Sequence, residues 1–229
     1  MFRLPDMTTF RPATLADQIY HELQARILRC QLSPGERLVE KALCEELSVS
    51  RASLREVLNR LAQDKLVTLK PNCGFSVTPI TIESFRNVCE LRRVVEPQVA
   101  ALAAQRATEA DIAEMRRTAV VDCAFNDENA FSIYCESNRG FHRSIAECID
   151  NILLEDLVLS ALDKDQQPIY YGIDIAVCTS PEDVTAEHHA IVDAIEARDA
   201  KKAQKLMAQH IGKKEDRILD ALKAKGLEA

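Results

Sequence analysis

Between Ser50 and Val77 the chain changes its hydrophobic period, and that change restricts the possible folds more than any other feature. Ser50 is placed to cap a helix through about Asp64, in which Leu54, Val57, Leu58 and Leu61 recur at helical spacing. The pattern then gives way to two short strand-like runs, Leu66-Val67-Thr68-Leu69 and Phe75-Ser76-Val77, joined by Lys70-Pro71-Asn72-Cys73-Gly74. Upstream, Thr14 can cap a helix to about Cys30, with Leu15, Ile19, Leu23 and Ile27 forming one apolar stripe. Ser33-Pro34-Gly35 stops that helix. A short helix, about Glu40 to Leu47, follows, and Ser48-Val49-Ser50 makes a tight connection to the capped helix. Helix, helix, turn, helix and hairpin is the order of a winged helix-turn-helix.

After the hairpin the strand-like character does not return. The boundary falls at Val77-Thr78-Pro79-Ile80-Thr81 and divides residues 1–78 from 79–229. Beyond it, Ile82, Phe85, Val88, Leu91, Val95 and Leu102 fit one face of a long helix, and Thr108 can cap the next, over about 108–124. Further helices are expected over 128–149, 151–165, 181–197 and 199–224, with Pro168 and Tyr170-Tyr171-Gly172 marking a loop. The expected fold is therefore mainly α: an N-terminal winged helix-turn-helix plus a C-terminal all-α bundle.

Composition narrows the setting. An apolar fraction of 47% excludes disorder as the main state. Charged residues interrupt every hydrophobic stretch before it reaches membrane-spanning length, and the first residues lack the pattern of a secretory signal. The eight cysteines are scattered, with no Cys-x-x-Cys pair, which fits free thiols in a reducing compartment. A cytoplasmic protein with no membrane partner is expected. The net charge of -7 conceals an asymmetry: residues 1–80 carry 11 Lys/Arg against 9 Asp/Glu, whereas residues 81–229 carry 18 against 27. A negative chain thus has a mildly basic first part, and nucleic acid is not excluded as its partner.

That first part presents the chemistry DNA requires. Arg51 and Arg55 are four residues apart and share a helix face, with Ser53 beside them, while Leu54, Val57 and Leu58 turn inward. Guanidiniums can pair with guanine O6/N7 or grip phosphate, and small residues permit close approach in the major groove. Lys41 on the preceding helix, and Lys70 and Gly74 in the hairpin, are candidates for backbone or minor-groove contacts. Each charge taken alone reads as a solvated helix face; set in this order of elements, they point to double-stranded DNA.

The second part carries a different cluster. His142 shares a face with Ile145 and Ile149, His188 with Ile191 and Ile195, and His210 with Leu206 and Ala203, so all three imidazoles point inward from different helices. Asn138 lies one turn before His142. A single inward histidine is most simply a satisfied core residue. Three together with an amide oxygen favour a divalent metal, zinc first, with nickel, iron or manganese as alternatives. His189 is out of phase with His188, and His21 belongs to the other part.

Specific stretches also resemble a known family. Pro34-Gly35-Glu36-Arg37-Leu38, Leu43 through Arg51 and Leu54 through Leu61 resemble the N-terminal domain of the GntR family of bacterial transcription regulators. Ser48 and Lys65 stand where that family commonly has glycine, and Lys41 where it usually has arginine. Glu90 through Glu96, Asn138 through Ile145, Glu187 through Ile195 and Met207 through His210 resemble the FCD-type ligand-binding domain of the FadR subfamily. The resemblance implies operator contacts by Arg51 and Arg55. It also implies metal ligation by His142, His188 and His210, with Asn138 in place of a frequent aspartate, and small carboxylates as effectors. Arg92 then becomes a candidate for orienting the effector carboxylate, or else forms a salt bridge with a neighbour such as Glu96. Tyr134, one turn before Asn138, is a candidate to line the effector pocket.

The expected function is a homodimeric repressor that is not an enzyme. Its two recognition helices would read a near-palindromic operator, and its operator affinity would respond to a small carboxylate bound at or near the metal. Two alternatives are a metal-dependent enzyme acting on a small organic acid and a DNA-binding protein whose second domain only dimerises.

Overall fold

The computed structural model describes residues 14–122, 130–172 and 180–227. The chain divides between Pro79 and Ile80 into two compact units. The first contains α1 (Leu15–Leu28), β1 (Arg37–Leu38), α2 (Glu40–Leu47), α3 (Arg51–Gln63), β2 (Val67–Lys70) and β3 (Gly74–Val77). Helix α1 starts at a complete capping box: the Thr14 hydroxyl accepts from Asp17 N, and the Asp17 side chain accepts from Thr14 N. Helix α3 starts where Ser50 accepts from Ser53 N. The two helices pack through Leu23, Ile27, Leu54, Leu58 and Leu61, and Phe75 of the hairpin closes the core.

Two details differ from the sequence expectation, and a third accounts for the glycines that the resembling family carries. Arg37 and Leu38 form a short strand pairing antiparallel with Ser76 and Phe75, which makes the hairpin a three-stranded sheet of order β1-β3-β2. Two residues are too short a run for any period to register. Leu15 is 61% exposed, because it occupies the first turn of α1, beyond the reach of the core that buries Ile19, Leu23 and Ile27. Ser48 and Lys65 both adopt left-handed backbone, at φ 54° and 62°. That conformation costs a side-chain-bearing residue about 1–2 kcal/mol and explains why glycine suits these positions.

The second unit comprises α4 (Ile82–Arg106), α5 (Glu109–Thr118), α6 (Ala130–Glu147), α7 (Ile152–Gly172), α8 (Pro181–Glu196) and α9 (Ala200–Ala224). Among its described residues every regular element is a helix. The two 25-residue helices, α4 and α9, lie along each other, and the shorter helices pack around them. One apolar cluster centres on Met115, Phe141, Ile145, Ile191 and Met207; another centres on Ile82, Phe85, Ile169 and Leu222.

Helix α7 continues to Gly172, so the loop expected at Pro168 is absent. Proline removes one helical hydrogen bond, but Val158, Leu162, Asp165 and Ile169 remain buried on one face on both sides of it. Tertiary packing therefore overrides the breaker signal. Helix α4 is rotated from its expected setting. Its buried face is Ile82, Phe85, Cys89, Arg92, Glu96, Val99 and Ala103, whereas Val88, Leu91 and Val95 are only half-buried. Two charged residues occupy core positions, so counting apolar residues placed the face one step away. Parts of the expected helices 108–124 and 128–149 lie outside the described residues; the described elements are α5 and α6 as bounded above.

Candidate functional site

On the first unit, α3 directs its apolar residues into the core and leaves Arg51 and Arg55 on the outer face, with side chains 73% and 50% exposed. Glu40, the first residue of α2, reaches both. Its Oε2 accepts from Arg51 Nε at 3.0 Å and lies 3.8 Å from Arg55 Nε. Lys41 is exposed and stands 4.0 Å from Glu45. The Ser53 hydroxyl is engaged with Ser50 Oγ at 2.9 Å, which ties it to the cap of α3. Lys70 pairs with Gly74 at the tip of the hairpin, and the chain turns back there with Gly74 at φ 81°, a conformation favouring glycine. Arg51, Arg55, Lys41 and Lys70 thus all project to the outside. Glu40 was not evident from sequence, since an acid in the first helical turn is ordinarily explained by the helix dipole.

In the second unit, His142 of α6, His188 of α8 and His210 of α9 come together in the interior. One ligating atom from each falls within 4.8 Å of the others, and all three residues are buried. His142 Nε2 and His210 Nε2 are 3.3 Å apart. Phe141 stacks on His188 at 3.8 Å between ring centroids.

The other ring nitrogens determine the protonation. His142 Nδ1 lies 2.6 Å from Glu96 Oε2, off the line of a straight hydrogen bond. His188 Nδ1 is 3.1 Å from the Ala119 carbonyl oxygen, and His210 Nδ1 is 2.8 Å from Glu187 Oε2. Each of these oxygens can only accept, since the two carboxylates are ionised, so each Nδ1 carries the proton and each Nε2 presents a lone pair. Burial pushes His142 down to about 4 against the opposing pull of Glu96. Burial likewise holds His188 well below the ordinary value and lowers His210. All three rings are therefore neutral near pH 7, the form a metal binds. Among the buried acceptors that lack partners in the described residues are His188 Nε2, Asn138 Oδ1 and Asp165 Oδ1.

Beside this cluster runs a buried ion network. Arg92 donates from Nε to Glu96 at 2.5 Å and from Nη1 to Asp165 of α7, and its Nη2 is 3.5 Å from His142 Nε2. Lys214 of α9 donates to the same Asp165 oxygen at 2.9 Å. Tyr134, Asn138, Asp165, Ile169 and Lys214 share the wall of one cavity. The structure thus brings Tyr134 and Asn138 to a common pocket, while the Arg92 guanidinium is engaged by two carboxylates. Glu96, at four residues from Arg92, was legible as a pairing partner. Asp165 and Lys214 were not, although each interrupts an apolar helical stripe with a charge.

Residues 15–77 match the GntR family of bacterial regulatory proteins, and residues 87–213 match the FCD domain. The chain is a GntR-family transcription regulator with an FCD domain. Among its relatives is the transcriptional repressor RspR of Escherichia coli, 26% identical over 194 residues covering 85% of this chain and 84% of RspR. The Uxu operon transcriptional regulator of Escherichia coli is 28% identical over 92% of this chain and 90% of its own length. The solved structure of McbR/YncC from Escherichia coli superposes with a TM-score of 0.72 at 20% identity, covering 91% of this chain and 99% of that one, which is a likeness of fold. GntR regulators bind double-stranded DNA operators and commonly dimerise, and FCD domains often bind metal. The chain is accordingly a DNA-binding regulator and not an enzyme. Among the described residues, no helix is long and apolar enough to cross a membrane.

Proposed function

We propose that this regulator is a cytoplasmic, homodimeric repressor whose grip on a near-palindromic operator is relaxed by a small carboxylate bound at a divalent metal in the FCD domain. Arg51 and Arg55 read guanines in the major groove, Lys41 and Lys70 hold phosphates, and Ser53 and Gly74 allow close approach. Two-fold symmetry places two such helices about one turn of duplex apart. The observation carrying the sensor half is the convergence of three buried imidazoles, one ligating nitrogen of each within 4.8 Å of the others, with the Nδ1 of His188 and of His210 held by an acceptor.

The donor set fits a metal. His188 Nε2 and Asn138 Oδ1 are buried without partners, and a cation supplies both. His142, His188 and His210 would hold it, with Asn138 adding a neutral oxygen. Three imidazoles favour zinc, while nickel, iron and manganese remain compatible with nitrogen and oxygen ligation. When bound, the ion supplies a site for an anionic ligand. Tyr134 lines the adjoining cavity, and Arg92 supports the cluster through its contacts with Glu96, Asp165 and His142. Effector binding alters operator affinity only insofar as it favours one dimer arrangement over another.

Two measurements test this reading. Selection from random duplexes should enrich a short near-palindrome; a pool with no enriched sequence would overturn the DNA half. Elemental analysis and native mass spectrometry of protein purified without chelator should show one ion per protomer and a dimer; metal-free protein would overturn the sensor half.

A further inference from the structure

We infer that the outward face of α4 is the surface through which two copies of this chain meet, their α4 helices antiparallel across a two-fold axis at Gln98. The inference rests on the dimer reading above and names the surface that forms it.

One stretch of α4 lacks the charge a solvated helix carries. Helices α4 and α9 have the same length and lie along each other, and each leaves one side exposed. On α9 that side carries Lys201, Lys205, Lys213, Asp216 and Asp220. On α4, between Val94 and Gln105, the one charged side chain is Glu96, and it is buried against Arg92. The exposed positions of that stretch include Val94, Gln98 and Gln105, with Ala101 and Leu102 half-buried. Val94 is 64% exposed. Apolar and amide side chains with charge excluded are the composition of an interface centre rather than of a wetted surface.

The charges at the ends of the stretch identify the occupant. Glu90, Val94, Gln98, Leu102 and Arg106 follow at four-residue intervals and form one ridge of the helix. The ridge reads acid, apolar, amide, apolar, base. Glu90 and Arg106 stand at equal separations from Gln98, about 12 Å along the axis. Laid antiparallel on its own copy, this ridge sets Glu90 of each chain opposite Arg106 of the other, Val94 opposite Leu102, and Gln98 opposite Gln98. An amide both donates and accepts, so it can bond to its own copy. A parallel arrangement would set Glu90 on Glu90 and Arg106 on Arg106, which repels. Among the described residues neither Glu90 nor Arg106 belongs to an ion pair, and Arg106 donates to the Ile149 carbonyl.

Area calls for a second helix. A stable dimer covers about 800 Å² on each partner, more than one helix face offers. Helix α7 packs against α4, and its Leu154 rests on the same apolar cluster as Val95 and Leu102. Within one turn of Leu154 stand Leu153, 72% exposed, and Leu157, also exposed. A second copy seated on α4 covers these leucines as well.

The test uses the full-length regulator and the one position that meets itself. Gln98→Glu and Gln98→Lys each set like charges across the axis. Each should raise the dimer dissociation constant at least about tenfold in sedimentation equilibrium. Mixed in equal amounts, with one chain isotope-labelled, the two should re-form a dimer that native mass spectrometry identifies as one chain of each kind. That recovery also shows both chains to be folded, and a charge facing any residue other than its own copy would not produce it. Variants that stay dimeric, or that dissociate and do not recover on mixing, would overturn the α4 surface while leaving the dimer reading intact. An unmutated regulator that sediments as a monomer would overturn the dimer reading and this inference with it.

Discussion

Glu40 and Arg51 are joined across two helices, with the Glu40 carboxylate accepting from Arg51 Nε at 3.0 Å. The same oxygen lies 3.8 Å from Arg55 Nε, so one acid addresses both outward arginines of α3. Attachment through Nε holds the guanidinium plane while leaving the Nη edge to meet a base. Replacing Glu40 with alanine should lower the ratio of operator to scrambled-duplex affinity by about tenfold, since each oriented arginine contributes about 1–3 kcal/mol of discrimination. Affinity for the scrambled duplex should hold or rise as a negative charge is lost. Titrations of both duplexes at several salt concentrations check this, and parallel losses on the two would refute an orienting role.

Arg55→Ala and Lys41→Ala should fail in different ways. Losing Arg55 should cost about 1–3 kcal/mol on the selected operator and relax preference at one base pair per half-site. Losing Lys41 should weaken all sequences alike and reduce the salt slope by about one. Binding isotherms on operator variants across a salt series separate the two.

Ser48 and Lys65 store backbone strain in the DNA-binding unit, at φ 54° and 62°. Ser48→Gly and Lys65→Gly should each stabilise this unit by roughly 1 kcal/mol, the penalty a side chain incurs in the left-handed region. Denaturant melts should show a higher midpoint with an unchanged slope.

Glu187 fixes His210 through a 2.8 Å contact and is itself bound by Lys213. Glu187→Gln should weaken metal binding by about 10- to 100-fold, and His188→Ala should abolish it at stoichiometric metal. Competition against a chromophoric chelator measures both. Stripping the metal from the unmutated protein should lower its melting temperature, with a loss of about 4 kcal/mol if the ion was held at a thousand times its Kd.

Asp17 sets an acid limit on α1. Bonds from Thr14 and then Arg60 hold its carboxyl at about 2, against an ordinary 3.8. Because the folded value is depressed, its contribution is complete above the ordinary value and is lost as pH falls through the folded one. The stability gap between the unmutated protein and Asp17→Asn should therefore close between about pH 4 and pH 2. Urea melts across that range check the sign.

The caps and stripes that start and bury α1, α3 and the hairpin were legible because each depends on residues within one or two turns. Thr14, Ser50 and the run Leu54, Val57, Leu58, Leu61 act locally, and local patterns survive in a linear string. The three inward histidines were legible for the same reason: each shares a face with apolar neighbours on its own helix. The strand at Arg37–Leu38 was not, since two residues have no period. Nor was the continuation of α7 past Pro168, which depends on burial of Ile169 rather than on propensity.

By itself, then, the sequence determined the order of elements, the outward pair Arg51 and Arg55, and the inward direction of His142, His188 and His210. Only the tertiary structure decided who stands behind them: Glu40 behind the arginines, and Glu96, Glu187 and the Ala119 carbonyl behind the imidazoles. It also decided that Arg92 is already engaged by Asp165, a residue 73 positions away. A charge with no partner nearby in the chain reads as a surface group. Its burial becomes favourable only when folding brings the opposite charge from another helix, and that meeting is a property of the packed bundle rather than of any one segment.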